Sequence, residues 1–144
     1  MKRIWARRIL VASIVVFVGI QLVPVQRTNP PVISEIGVQP EVHAILKRAC
    51  YDCHSNETRW PWYSHVAPVS WLLARDVSTG RRHMNFSAWG SYTPDKQDSK
   101  IQEIWEQVSQ DQMPLWFYRP MHPDAKLTDA DRAVLKAWAI PEVP

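Results

Sequence analysis

Cys50-Tyr51-Asp52-Cys53-His54 sets two thiols three residues apart, with a histidine directly behind the second. On one turn of backbone each thiol can add across a haem vinyl group to form a thioether. The histidine is then held against the iron as its proximal ligand. C-x-x-C-H is the attachment signature of c-type haem, and histidine is a standard axial ligand. The chain has two cysteines in all, so attachment at Cys50 and Cys53 uses both. Other chemistries share this spacing. A thioredoxin-type dithiol expects alternating strands and helices around it, and none are visible. A structural zinc site needs four ligands. Beyond Cys50, Cys53 and His54 the fourth would have to be an isolated His43, His65, His83 or His122, and the adjacent Cys53 and His54 reach one tetrahedral ion awkwardly.

Working outward toward the N-terminus, Lys2, Arg3, Arg7 and Arg8 precede an apolar run from Ile9 to Ile20 that fades into Pro24. A cationic start followed by a short apolar segment is the layout of an export signal or a signal anchor. With Trp5 and Ala6 included, the segment reaches about 18 residues, near the lower limit for crossing a bilayer. No clean small-x-small cleavage boundary follows it, so residues 1–24 are expected to be an uncleaved transmembrane anchor. The positive-inside rule puts the four cations in the cytoplasm and everything after Pro24 outside it. Covalent haem attachment in bacteria takes place on that outer side, so export and C-x-x-C-H support each other. The expected location is the inner membrane, single-pass, with the domain on the periplasmic face.

The formal charge of +3 belongs to this leader: without its four cations the chain carries thirteen basic against fourteen acidic residues. There is no basic stripe and no nucleic-acid motif, so nucleic acid is excluded as a partner. Residues 25–39, with Pro30 and Pro31 following Pro24, read as an extended linker holding the domain off the membrane. Residues 40–144 are enough for one small domain. Seven of the eight tryptophans fall after the anchor, where large aromatics supply core area and apolar walls.

The 40–144 segment reads as all-α. Pro40 suits a first helical position, and Val42, Ile45, Leu46 and Ala49 form one apolar face running directly into Cys50. An aromatic loop, Trp60-Pro61-Trp62-Tyr63, follows the motif. Pro68 opens a helix with Val69, Leu72, Leu73 and Val77 on one side, predicted to end at Gly80. Thr93-Pro94 starts another, with Ile101, Ile104, Trp105 and Val108 inward. Thr128-Asp129-Ala130-Asp131 resembles a capping box that opens a last helix carrying Val134, Leu135 and Trp138. No strand-like alternation of useful length and no repeat is evident.

A proximal histidine leaves the opposite face of the iron to a second ligand, usually Met or His in an electron carrier. The expected distal ligand is Met113, stiffened by Pro114 and lying between two predicted helices. Met121 and His122 in the same loop are the alternatives.

The stretch from Cys50 to Trp138 resembles the bacterial haem-binding domain family, small relatives of cytochrome c. The matching segments are Cys50-Tyr51-Asp52-Cys53-His54-Ser55-Asn56, Trp60-Pro61-Trp62-Tyr63-Ser64, Asn85-Phe86-Ser87, Met113-Pro114 and His122-Pro123-Asp124-Ala125-Lys126-Leu127. The resemblance implies a cytochrome c-like helical domain around one covalent haem c. It implies attachment at Cys50 and Cys53, His54 as axial ligand, and Met113 as distal sulfur, while the family pattern also contains the histidine matching His122. The expected role is single-electron transfer with an unidentified redox protein, not catalysis. A haem-based sensor or gas-binding module and a peroxidase-like enzyme using Arg59 or His65 are the alternatives, with a zinc module more remote.

Overall fold

The first element of the computed structural model, α1, is a helix of 20 residues, Lys2–Gln21. At 1.5 Å per residue it is about 30 Å long, the thickness of a bilayer's hydrocarbon core. It takes in the cationic cluster as well as the apolar run, and no residue of it is buried. A helix that exposes Ile, Leu, Val and Phe on every side is long and apolar enough to cross a membrane. The structure describes residues 2–141. Met1 of the predicted anchor and residues 142–144 of the predicted domain lie outside the described residues.

The segment after α1 is extended, as its prolines dictate, yet it runs along the domain instead of standing off it. The N–H groups of Ile33 and Ser34 donate to the Ser87 carbonyl (2.8 and 3.1 Å), and that of Ile36 donates to the Phe86 carbonyl (3.1 Å). The Trp89 N–H returns a bond to the Ser34 carbonyl (2.8 Å), and Ser34 and Ala88 form an isolated parallel bridge. Two irregular segments thus satisfy each other's backbone groups, which would otherwise have to face water or go unpaired. Ile36 is buried in the core. Residues 27–36 therefore act as a strap on the domain and not as a free tether.

The domain proper is helical. α2 spans Pro40–Ala49 and buries the predicted Val42, Ile45, Leu46 and Ala49. The chain breaks helical geometry at Cys50 (φ −125°) and restarts as the one-turn α3, Tyr51–His54. α4 spans Val69–His83, three residues past the predicted stop at Gly80. Gly80 does not have the positive φ of a helix terminator; it is the point where α4 crosses α3. α5 (Pro94–Ser109) and α6 (Asp129–Ala139) begin where their prolines and caps put them. At α6 the Asp131 N–H donates to Thr128 Oγ1 (3.1 Å) and the Thr128 N–H to Asp131 Oδ2 (2.8 Å), a complete capping box with Asp in place of Glu.

α6 packs on α2 and α5, and α3 packs on α2 and α4. Leu46, Leu135, Val108, Tyr51 and Phe86 are the largest fully buried side chains where these helices meet. Tyr51 stacks on Phe86 (5.1 Å, 14°), which stacks on Trp89 (5.9 Å, 23°). This aromatic column joins the C-x-x-C-H turn to the loop after α4, so the motif rests on the buried core. Among the described residues there is no strand, and the fold is all-α with one membrane-length helix at its start.

Candidate functional site

The motif turn is held from three sides. The N–H groups of Cys53 and His54 both donate to the Cys50 carbonyl (3.2 and 2.9 Å), which closes the turn carrying the two thiols. The Ser55 hydroxyl donates to the Tyr51 carbonyl (2.8 Å), and the Phe86 N–H donates to the His54 carbonyl (2.8 Å). Asn56 and Asn85 are linked side chain to side chain (2.9 Å), and the Asn56 N–H donates to the Ser87 hydroxyl (2.9 Å). The two family-like segments around Asn56 and Asn85, 29 residues apart in sequence, are thus one hydrogen-bonded unit under the motif.

His54 Nδ1 lies 3.2 Å from the Met84 carbonyl. A carbonyl only accepts, so Nδ1 carries the proton and donates. Burial holds the imidazole below its ordinary pKa, against the raising effect of that hydrogen bond. The ring is therefore neutral at pH 7, with its Nε2 lone pair available to a metal. An imidazole oriented through its other nitrogen by a backbone carbonyl is the usual preparation of a histidine ligand.

Cys50 and Cys53 are free thiols, each partly buried. Burial pushes both up to about 12, with the neighbouring thiol adding to the effect at Cys50 and Asp52 and Asp76 adding to it at Cys53. They are thiols and not thiolates at neutral pH, the opposite of a redox dithiol whose nucleophile depends on a lowered pKa. Among the described residues no three His, Cys, Asp or Glu side chains converge as a metal-ion site requires. The zinc alternative has no such geometry behind it.

Beside the motif lies a cavity of about 350 Å³ with three walls. Asp52 and Cys53 line it from the motif, with Arg59, Pro61, Trp62 and Tyr63 from the aromatic loop. α4 contributes Val69, Leu72, Leu73, Asp76 and Val77. The third wall is the 115–122 loop, with Leu115, Phe117, Tyr118, Met121 and His122. The predicted inward face of α4 is thus the face it turns to the cavity: Val77 is buried at its inner end, whereas Val69 and Leu72 are 41% and 44% exposed. Their helical periodicity is real, but they face a cavity instead of a neighbouring helix.

The loop wall is fixed to the motif through polar groups at its inner edge. The Tyr118 hydroxyl donates to Asp52 Oδ2 (2.7 Å), and the Arg59 N–H donates to Asp52 Oδ1 (2.9 Å). Burial, then the bond to Asp52, pushes the Tyr118 phenol far above its ordinary range. The Tyr118 ring stacks on His122 (3.9 Å, 9°), whose Nε2 is hydrogen-bonded to the Tyr63 hydroxyl. Burial lowers the His122 pKa. At the outer end of the loop, Arg119 and Arg132 both bind Asp111, which takes the left-handed conformation (φ 56°) just after α5.

The structure thus brings Cys53, Met121 and His122 to one cavity. Cys50 packs against the main core on the other side of the turn. Met113 is partly buried just beyond α5, with its N–H on the Gln107 carbonyl (3.3 Å), and is not among the cavity-lining side chains. Arg59 lines the cavity, whereas His65 is exposed outside it. Sequence reasoning missed Asp52, Tyr63, Tyr118 and Gly80. Asp52 was visible as a charged residue inside the motif. Gly80 was visible as a glycine inside a pattern that continues through Arg81 to His83, a sign of close packing more than of termination.

An almost wholly apolar slot with the Cys53 thiol on its wall suits a large flat apolar group better than it suits a bare ion, and Cys50 and His54 stand on the same turn without lining it. A family model described as "Haem-binding domain" matches residues 15–140 of the chain. No curated protein and no solved structure matches it.

Proposed function

Because this chain belongs to the haem-binding domain family, we propose that it is a membrane-anchored c-type haem protein that carries single electrons on the periplasmic side of a bacterial inner membrane. The carrying observation is the motif itself: two thiols and a neutral, oriented His54 on one closed turn, with Cys53 on the wall of an apolar cavity. In this reading Cys50 and Cys53 would hold the group through thioethers and His54 would bind its iron. The haem iron supplies the one-electron change. The chain's part is to bind, orient and keep the group dry. Val69, Leu72, Leu73 and Leu115 exclude water, and the Met84 carbonyl fixes the His54 ring. Tyr118 and Asp52 hold the loop wall against the motif. A second iron ligand would come from the 113–122 loop, with Met113 expected from its Met-Pro context and Met121 and His122 as the candidates that line the cavity. α1 is the anchor, and Lys2, Arg3, Arg7 and Arg8 set its orientation.

Expression in a host that matures c-type cytochromes, followed by a haem stain on a denaturing gel, tests the covalent claim. A coloured band that is lost in Cys50→Ser with Cys53→Ser is expected; a colourless wild-type band overturns it. Spectra of Met113→Ala, Met121→Ala and His122→Ala then assign the distal ligand. The reduced protein is expected not to bind carbon monoxide. Binding would transfer the reading to a sensor or a peroxidase-like enzyme.

A further inference from the structure

We infer that the domain lies on the lipid surface that α1 enters, with the aromatic rim of its cavity in the headgroup layer. The inference rests on the reading of α1 as a membrane anchor. The last residue of α1 is bound directly to the loop ahead of α4: the Ala67 N–H donates to Gln21 Oε1 (2.9 Å), and Gln21 Nε2 donates to the Ala67 carbonyl (3.2 Å). No flexible spacer separates the end of the membrane-length helix from the domain.

Arg81 makes that attachment firm. Its guanidinium donates to the Thr28 carbonyl (2.7 Å) and Asn29 Oδ1 (3.0 Å) on the strap, and to the Ser55 carbonyl (2.7 Å) and Thr58 Oγ1 (2.8 Å) beside the motif. Arg27 adds a bond to the Ser64 carbonyl (3.1 Å). The separation between α1 and the domain is therefore set by contacts and not by the statistics of a free linker.

The surface next to this junction is apolar. Leu22 is exposed immediately after α1, and Trp71 and Leu72 are exposed on the first turn of α4, four and five residues beyond Ala67. Val69 and Leu72 of that turn line the cavity together with Trp62, and the exposed Trp116 lies edge-on to the cavity-lining Phe117 (5.7 Å). Trp62 and Trp116 are each 73% exposed and Trp71 is 37% exposed. Exposed apolar surface marks an interaction site, and tryptophan is the residue enriched where membrane meets water. Trp71 and Trp116 do not line the cavity, so a group bound inside it leaves them uncovered. Continuity with the end of α1 selects lipid as the occupant.

The test uses the full-length, haem-loaded chain in nanodiscs of phosphatidylcholine and phosphatidylglycerol that carry a lipid with a photoreactive diazirine at headgroup depth. Adducts are mapped by peptide mass spectrometry. Labelling is expected on α1 and on the peptides holding Trp62, Trp71 and Trp116. Trp71→Ser with Trp116→Ser should reduce domain labelling severalfold and leave α1 labelling unchanged, with the haem spectrum reporting that the variant is folded. Labelling of α1 alone overturns the lipid assignment, leaves the anchor intact and opens the rim to a protein partner or a second copy. Absence of labelling on α1 overturns the anchor reading itself. Domain labelling that ignores the two substitutions overturns the assigned face.

Discussion

Replacing Gly80 with alanine sets two effects of opposite sign against each other. At an exposed position inside a helix the exchange stabilises by about 1 kcal/mol, because glycine loses more backbone freedom on folding. At Gly80 the added methyl would stand 2.5 Å from the Cys53 carbonyl oxygen, 3.1 Å from its carbonyl carbon and 3.3 Å from its Cβ. Comfortable contact begins near ~3.5 Å, so α4 would have to retreat from α3 by roughly 1 Å. The neighbour is backbone within the closed Cys50–His54 turn, not the tip of a side chain that can swing away. Overpacking of this kind costs about 1–3 kcal/mol, and the retreat also strains the Arg81 bond to the Ser55 carbonyl. The expected net effect is a loss of about 1–2 kcal/mol, which at roughly 4 °C per kcal/mol for a domain of this size lowers Tm by about 4–8 °C. Thermal unfolding of the haem-loaded protein by circular dichroism measures it. Arg75→Ala, on the exposed side of the same helix, serves as control and should stay within about 0.5 kcal/mol. A Gly80→Ala protein as stable as wild type, or more so, would mean that helix propensity outweighs the crossing and that α3 and α4 are not in close contact.

Three further outcomes follow from the packing. Tyr118→Phe removes the hydroxyl bound to the buried Asp52 carboxylate; a hydrogen bond to a charged group is worth about 1.5–3 kcal/mol, and urea unfolding should show a lower midpoint with an unchanged slope. Ile36→Ala should cost about 2–4 kcal/mol, whereas Ile33→Ala, at a highly exposed strap position, should be nearly silent; equal, negligible effects would restore the free tether. At Asp131, burial disfavours the charge, but Arg48 and the Thr128 cap overcome it and hold the carboxyl down to about 2 from an ordinary 3.8. Its folded pKa lies below its unfolded one, so its contribution is complete above the unfolded value and disappears as pH falls through the folded one. Acid unfolding of Arg48→Ala should accordingly begin at higher pH than that of the wild type, and coincident acid transitions would rule out the Arg48–Asp131 link between α2 and α6.

Local chemistry carried much of this protein in its sequence. Val42, Ile45, Leu46 and Ala49 recur with the helical period and are buried as that period requires. Pro40, Pro94 and the Thr128–Asp131 box start helices because a missing N–H or a capping oxygen acts within a few residues. The C-x-x-C-H motif is equally local as a pattern of five consecutive residues, although its spacing alone also fits a dithiol or part of a zinc site. The membrane-length helix was visible for the same reason, although its boundary was not. Pairings between distant irregular segments have no such signature. Residues 33–36 lie against 86–89 through backbone groups, and backbone groups are alike in every residue. Whether Val69 and Leu72 face a helix or a cavity depends on where the 115–122 loop passes, which no periodicity records. Gly80 could be read as a stop until α3 was seen to press on it. Within the Met113–His122 loop only the folded chain separates the side chains that line the cavity from the one that does not. The sequence by itself determined which side chains one turn carries and the helices around it. Tertiary structure decided what that turn faces, because a cavity is formed by elements remote in sequence that share no local pattern.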